Sequence, residues 1–358
     1  MKINANKAII ISDTHLGARS NSAEWLTTMT DWFREDFIPR AKELYEPGTI
    51  LIHTGDVFDN RQSINLMVLH EGMSLFEELS QIFDAIYIIA GNHDVMKKTS
   101  NDISSLDCLK YIPKVHIIKE PTLADINGTK ALFMPWRTDV NEEKSCIADF
   151  GKEDPKVLFC HTNIYSLKFD NSRDVEEGLH ADDLKTYEKV YSGHIHWGQK
   201  RGNVTMVGNP YQMTRSDAGN PKGFYEFNFK TFEETFHENT YSPRFVRVHL
   251  NRYLENTLGD ILDECKNNRV DLYVPSHYIL KYQVNPIIDA ISEVSRKLEV
   301  FPFEEDQNIE IEGSELETLS IFEMCQKYIT QMRSVDDSVK KRIESKISKL
   351  YNQTVKEI

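Results

Sequence analysis

The chain has 358 residues, 40% hydrophobic and 27% charged, with a formal net charge of −14. It is long enough for a large core domain with one or two appendages, and no apolar run reaches bilayer-spanning length. The five cysteines are dispersed without a CxxC pair, which excludes a disulfide framework and a zinc knuckle.

The N-terminal apolar stretch is too short for a signal-peptide core, and no small-residue cleavage site follows it. A cytoplasmic location is therefore expected, with no membrane partner. The acidic balance counts against a nucleic-acid surface that is basic throughout. Part of it falls on residues whose charge a bound metal would offset. Another part crowds toward the C-terminal third, at Glu304, Glu305, Asp306, Glu310 and Glu312.

In chain order, Ala8–Ile11, Ile50–His53, Ala85–Ala90, Val115–Ile118, Lys130–Met134, Val157–Cys160 and Val204–Val207 have strand length and β-branched content. Trp25–Leu44 and Ile64–Ile82 read as helices between them, Pro39 and Pro47 obscuring where the first one ends. In the second, Leu66, Leu69, Met73, Phe76 and Leu79 share one face. Several strands end directly in Asp, Gly, Asn or His, as expected of an α/β fold whose active site lies at strand ends.

After residue 240 the texture changes. Phe245–Leu250 and Tyr278–Gln283 read as strands, Leu258–Lys266 and Pro286–Leu298 as helices, together the size of a small α+β cap domain. The acidic stretch Phe303–Glu312 reads as linker. From Leu316, Ile321, Cys325, Tyr328, Ile329 and Met332 keep helical spacing, and Ser334–Asp337 interrupts it. Val339, Ile343, Ile347, Leu350 and Tyr351 then resume the pattern, a helical hairpin with an apolar stripe on each arm. The expected domains are thus 1–240, 241–302, a linker at 303–315, and a hairpin at 316–358.

Five short motifs carry the chemistry: Asp13-Thr14-His15, Gly55-Asp56, Gly91-Asn92-His93-Asp94, His161 and Gly193-His194-Ile195-His196. Singly, each is most often a polar turn or a satisfied strand-end histidine. Five in succession, each near a predicted strand end, are not explained that way. Carboxylate, amide oxygen and imidazole together suit a divalent cation such as Mn²⁺. The other histidines, His53, His70, His116, His180 and His237, need no functional explanation.

The ordered set resembles the calcineurin-like metallophosphoesterase superfamily. The resemblance implies a two-layered β sandwich flanked by helices, holding two divalent metal ions, Mn²⁺ or Mg²⁺. It implies Asp13, His15 and His196 around the first ion, Asn92, His161 and His194 around the second, and Asp56 bridging both. His93 would be the catalytic histidine, oriented by a hydrogen bond to Asp94.

Within that superfamily, Gly55-Asp56-Val57-Phe58-Asp59 and the ending of the third motif in Asp94 differ from the protein phosphatases. They resemble the SbcD-type nuclease subunits of the DNA double-strand-break repair complex, and length, tail and the Val190–His196 stretch are most similar to the version of large tailed phages. Some relatives carry His at the position of Asp59, which leaves the role of Asp59 open. The resemblance implies a Mn²⁺-dependent exonuclease on duplex DNA and endonuclease on single strands, active in recombination, replication and repair. It also implies a homodimer, a coiled-coil SMC-like ATPase partner (SbcC type) gripped by the C-terminal hairpin, and, if phage-encoded, a place in the host cytoplasm. Basic residues shortly after the motifs are candidate DNA contacts, Lys97 and Lys98 first and Arg61 with them; Arg137, Arg173, Lys200, Arg201 and Arg215 are further candidates. Two rival readings remain: a phosphoesterase of small diesters or phosphoproteins, and a non-catalytic scaffold between DNA and an ATPase.

Overall fold

A computed structural model of the chain describes residues 1–97, 100–250, 258–276, 285–303, 336, 339–343 and 345–347. Two mixed sheets form its centre. The first runs in the order β1 (Lys2–Ile3), β8 (Thr122–Ile126), β9 (Thr129–Met134), β10 (Val157–His161), β11 (Lys189–Gly193), β13 (Val204–Met206), β12 (Gln199–Arg201). The second runs β15 (Glu234–Glu238), β14 (Gly223–Asn228), β2 (Lys7–Ile11), β3 (Thr49–His53), β4 (Ile86–Ile89), β7 (Val115–Ile118).

Strand alternation distributes the apolar residues over three cores. On β2, Ala8 and Ile10 pack between the sheets with Phe133, Phe159 and Tyr191. Ile9 and Ile11, on the opposite face, meet Trp32, Phe37 and Phe76 of the helices outside. Leu158 and Cys160 of β10 face the third core with Ile147 and Leu184. The layers are therefore helix, sheet, sheet, helix. This is the expected sandwich flanked by helices.

The expected helix from Trp25 to Leu44 is built as α1 (Ala23–Trp32), a π-turn (Phe33–Phe37) and α2 (Ile38–Leu44). The Ile38 N–H reaches back to the Phe33 carbonyl, and Pro39 then falls in the first turn of α2, where a missing N–H breaks nothing. Pro39 therefore does not end the run. In α3 (Leu66–Ser80) the buried stripe is Val68, Gly72, Leu75, Phe76 and Leu79, and Leu66 is 81% exposed. Gly72 fixes this rotation, because a Cβ there would stand 2.9 Å from the Phe58 ring.

In the segment expected to form a cap, β16 (Phe245–His249), α6 (Leu258–Cys265), β17 (Arg269–Pro275), α7 (Asn285–Val294) and β18 (Lys297–Phe303) are seen; α4 (Val140–Gly151) and α5 (Ala181–Leu184) precede them. The strands align as β16-β17-β18. The second strand lies at Arg269–Pro275, buried along nearly its whole length, whereas the strand expected at Tyr278–Gln283 lies outside the described residues. Lys297–Phe303 is a strand, where Lys297 and Leu298 are expected to end the second helix and Phe303 to open the linker. Met1–Tyr273 with Asn285–Phe301 make one compact unit, and Val274–Val284 with Pro302–Ile358 a second. In the second, 339–343 and 345–347 are helical. The rest of the expected hairpin, and the linker from 304, lie outside the described residues.

Candidate metal centre

All five motifs leave the ends of β2, β3, β4, β10 and β11. Parallel pairing of Ile11 with His53, and of His161 with Gly193, brings those ends to one edge of the sandwich. The loops then cross-link. The N–H of Asp13 donates to Gly55 O at 3.0 Å, that of His15 to Asp56 O at 3.1 Å, and that of Leu16 to Val57 O at 2.8 Å. Gly55, at φ 105°, has no room for a side chain: a Cβ would strike the His161 ring. A Cβ on Gly91 would strike the Asp56 carboxylate.

The side chains converge in two adjoining groups. In one, Asp13, His15 and His196 bring their ligand atoms within 4.8 Å of one another, the His15 and His196 Nε2 atoms being 3.0 Å apart. In the other, Asp56, His161 and His194 do the same. Asn92 Oδ1 completes that group, 3.0 Å from His161 Nε2 and 2.7 Å from His194 Nδ1. Asp56 lies between the two: its Oδ2 is 3.7 Å from His15 Nε2 and 3.3 Å from His161 Nε2. His93 gathers with His15 and Asp56 in a third overlapping group. Asp13, His15, Asp56 and His161 are buried, while Asn92, His93, His194 and His196 are half-buried and line the open side.

Outer partners fix the rings. His161 Nδ1 lies 2.8 Å from Thr54 O, which assigns its proton there and turns Nε2 inward. Trp136 packs on His194 with centroids 4.7 Å apart. His53, needing no functional role, braces the loop through Thr14 Oγ1 at 3.0 Å and the Gly55 N–H at 3.2 Å.

Burial pushes His194 and His196 down, each to about 3, so both present neutral imidazoles. Burial also disfavours the His161 cation, but the Asp56 carboxylate beside it prevails and holds it up at about 9. Burial alone would raise the Asp56 carboxyl; the neighbouring His161 outweighs it and keeps it below the ordinary carboxylate range. Buried nitrogen and oxygen donors in two groups sharing one carboxylate, with outer hydrogen bonds, fit a pair of divalent ions.

The expected hydrogen bond between His93 and the Asp94 carboxylate is not what the structure has. Asp94 is 0% exposed, and its Oδ2 accepts the N–H of Asp56 at 2.7 Å and of Gly91 at 2.9 Å. Its Oδ1 accepts the N–H of Val57 at 3.0 Å and of Phe58 at 3.4 Å. Two donors on each oxygen is the arrangement of an ionised carboxylate, although burial and the Asp56 charge push this carboxyl up, to about 7. Asp94 thus clasps the second motif to the third. The group that orients His93 is the Asp59 carbonyl, 2.5 Å from Nδ1. The Asp59 carboxylate also stands 3.3 Å from His15 Nδ1. Only its position three residues after Asp56 hinted at this in the sequence.

Residues 7–198 match the family model described as calcineurin-like phosphoesterase, more than half of the chain. The chain belongs to that family. It is also similar, at 25% identity over 96% of its own length and 98% of the relative's, to exonuclease subunit 1 of Enterobacteria phage T4. Among solved structures, a phosphopantetheinyl hydrolase from Mycobacterium tuberculosis has a TM-score of 0.33 at 15% identity, covering 58% of this chain and 92% of that one. A protein from Aquifex aeolicus has a TM-score of 0.28 at 14% identity, covering 51% and 93%. The family assignment rests on the family match alone.

Of the candidate DNA contacts, Arg61 is half-buried and Lys97 exposed, at the end of β5 (Val95–Lys97), which pairs with β6 (Ser100–Ser104). Lys98 lies outside the described residues. The other basic candidates are engaged. Arg137 pairs with Glu120, Lys200 with Glu234, Arg173 with Asp170 at 2.6 Å, and Arg215 with Asp271 at 2.6 Å. Arg201 donates to Ser166 O at 3.1 Å. Among the described residues no helix is long and apolar enough to cross a membrane.

Proposed function

We propose that this protein is a Mn²⁺-dependent DNA nuclease, an exonuclease on duplex ends and an endonuclease on single strands, working with an SMC-like ATPase in DNA end processing and recombination. The observation that carries the reading is the double group of donors sharing Asp56, with half-buried His93 at its open side. Similarity to an exonuclease subunit along nearly the full length of both chains supports a nucleic-acid strand over other phosphodiesters. In this reading Asp13, His15 and His196 hold one ion, Asn92, His161 and His194 the other, and Asp56 both. Two such ions, when bound, activate a water and neutralise phosphoryl oxygens.

The chain's own residues do the rest. His93, its Nδ1–H held by the Asp59 carbonyl, would as an imidazolium hand its Nε2 proton to the leaving oxygen, returning to the neutral Nδ1–H ring, or direct that Nε2–H at a phosphoryl oxygen. Asp59, Thr54 and Trp136 hold the rings in place. Arg61, Lys97 and Lys98 meet the DNA backbone, residues 316–358 bind the ATPase, and a homodimer presents two sites to DNA.

The experiment compares duplex DNA with a generic small phosphodiester, with Mn²⁺, Mg²⁺ or chelator, alongside His93→Ala. DNA degradation that needs Mn²⁺ and is lost in His93→Ala, with both ions retained, is the expected result. Loss of an ion in His93→Ala would move His93 into the ligand set. Cleavage of the small ester by the complete protein–ATPase complex, with DNA left intact, would favour the rival phosphoesterase.

A further inference from the structure

The cap segment is joined to the metal centre by a chain of polar contacts, buried at Asp217 and Lys222, whose residues lie outside the five motifs. It starts at the fifth motif, where the His196 side chain meets His15 and its backbone carbonyl has a separate partner. That carbonyl accepts a hydrogen bond from Lys222 Nζ at 2.6 Å. Two residues on, Gly198 is clasped by Asn220, its N–H donating to Oδ1 and its carbonyl accepting from Nδ2, both at 2.9 Å. The segment has no slack: a Cβ on Gly208 would stand 2.8 Å from the same His196 carbonyl.

Lys222 is 4% exposed and Asp217 3%, and their ion pair measures 2.8 Å. The other Asp217 oxygen accepts the N–H of Met213 at 3.0 Å and of Thr214 at 2.8 Å, which fixes the 3-10 turn Arg215–Asp217. From that turn Arg215 reaches into the cap sheet. Its Nε is 2.6 Å from Asp271 Oδ2 on β17, and its Nη2 is 2.6 Å from Glu299 Oε2 on β18. Asp271 is 4% exposed, so the anchor is sheltered at its carboxylate end, while the Arg215 guanidinium side is open to solvent and partly screened.

We propose that Arg215, Asp217 and Lys222 are positioning residues that transmit the placement of the cap sheet to His196, so that the first ion is held at full affinity only when the cap is seated. A second anchor of the cap makes no direct contact with Arg215, Lys222 or His196 among the described contacts and serves as the control. Arg269 pairs with Glu24 at 2.7 Å and lies over the Trp25 ring at 4.2 Å, and it approaches Asp217 only indirectly, through Trp25, Arg19 and Met213.

The proposal rests on reading His196 as an ion ligand. It is tested on the full chain without DNA, by calorimetric Mn²⁺ titration and by the Mn²⁺ electron-paramagnetic spectrum. Two Mn²⁺ ions roughly 3.5–4 Å apart give an exchange-coupled spectrum. Arg215→Ala and Asp271→Asn should each weaken one of two Mn²⁺ sites by about 10-fold, as loss of an outer partner does. At limiting Mn²⁺ the coupled signal should give way to a single-ion one. Arg269→Ala should leave both sites as they are. Unchanged Mn²⁺ affinity in both Arg215→Ala and Asp271→Asn, or an equal loss in Arg269→Ala, overturns the proposal. Should Arg215→Ala fail to fold, Asp271→Asn, which keeps the side-chain volume, decides it alone. His196→Ala separates the two layers. If it binds two Mn²⁺ normally, the ligand reading falls and the proposal with it; if it loses one while Arg215→Ala and Asp271→Asn lose none, only the proposal falls.

Discussion

Removing the Asp94 carboxylate should unfold the metal edge before it alters the chemistry. Three of its hydrogen bonds are short, to the N–H groups of Asp56, Gly91 and Val57 at 2.7, 2.9 and 3.0 Å. The fourth, from Phe58 at 3.4 Å, is weak. Asp94→Ala leaves these donors buried without an acceptor, at about 1–3 kcal/mol each. A water entering the vacated space would recover part of that, so the net loss is about 3–6 kcal/mol, a large share of a typical stability of about 5–15 kcal/mol. At about 2–4 °C per kcal/mol the melting temperature should fall by roughly 6–24 °C. Asp94→Asn keeps the shape and one acceptor oxygen, so it should lose about half as much. The assay is thermal and urea unfolding of chelator-treated protein, which removes any contribution from bound ions. An Asp94→Ala variant melting within about 2 °C of the unaltered chain, yet inactive, would refute the argument and restore Asp94 as the partner of His93.

Asp56→Asn should abolish hydrolysis and weaken both ion sites, by more than the roughly 10–100-fold that losing an outer partner brings; calorimetric Mn²⁺ titration checks this, and a single weakened site would remove the bridging assignment. Deleting residues 316–358 should leave basal hydrolysis intact and eliminate binding to the ATPase, read by co-sedimentation; a truncated chain that cannot fold would place the segment in the core. Arg61→Ala combined with Lys97→Ala should weaken duplex binding alike on all sequences and lower the salt slope by about 2. A slope unchanged across a salt series would send the DNA path elsewhere.

The motifs were legible because each sits where an apolar run stops, and the registers of β2 with β3 and of β10 with β11 convert that pattern into one convergent edge. The sandwich was legible for the same reason: runs such as Ala8–Ile11 are buried on both faces. Less visible was anything decided by a single close approach. The rotation of α3 depends on Gly72 against Phe58, and helical periodicity alone put Leu66 on the wrong side. The role of Asp59 belongs to its carbonyl as much as to its side chain, and a backbone atom leaves no mark in a residue pattern.

The backbone strain of the site was hidden altogether. Asp13, His15, Asp56 and His194 have φ of 50°, 43°, 58° and 84°, a region that asks for glycine and costs other residues about 1–3 kcal/mol each. None can be glycine, since each supplies a donor atom to the convergent groups. What holds them there is the cross-linking of the loops. The Asp13 N–H donates to Gly55 O, the His15 N–H to Asp56 O, and the His194 N–H to the Asp13 carboxylate at 3.1 Å. Asp94 ties the Asp56 turn from the other side. The strained residues are thus both the donors of the site and the points where its loops are tied together. For that reason loss of the Asp94 clasp should register first as stability, while loss of His93, which hangs outside this network by its side chain, should register as chemistry alone.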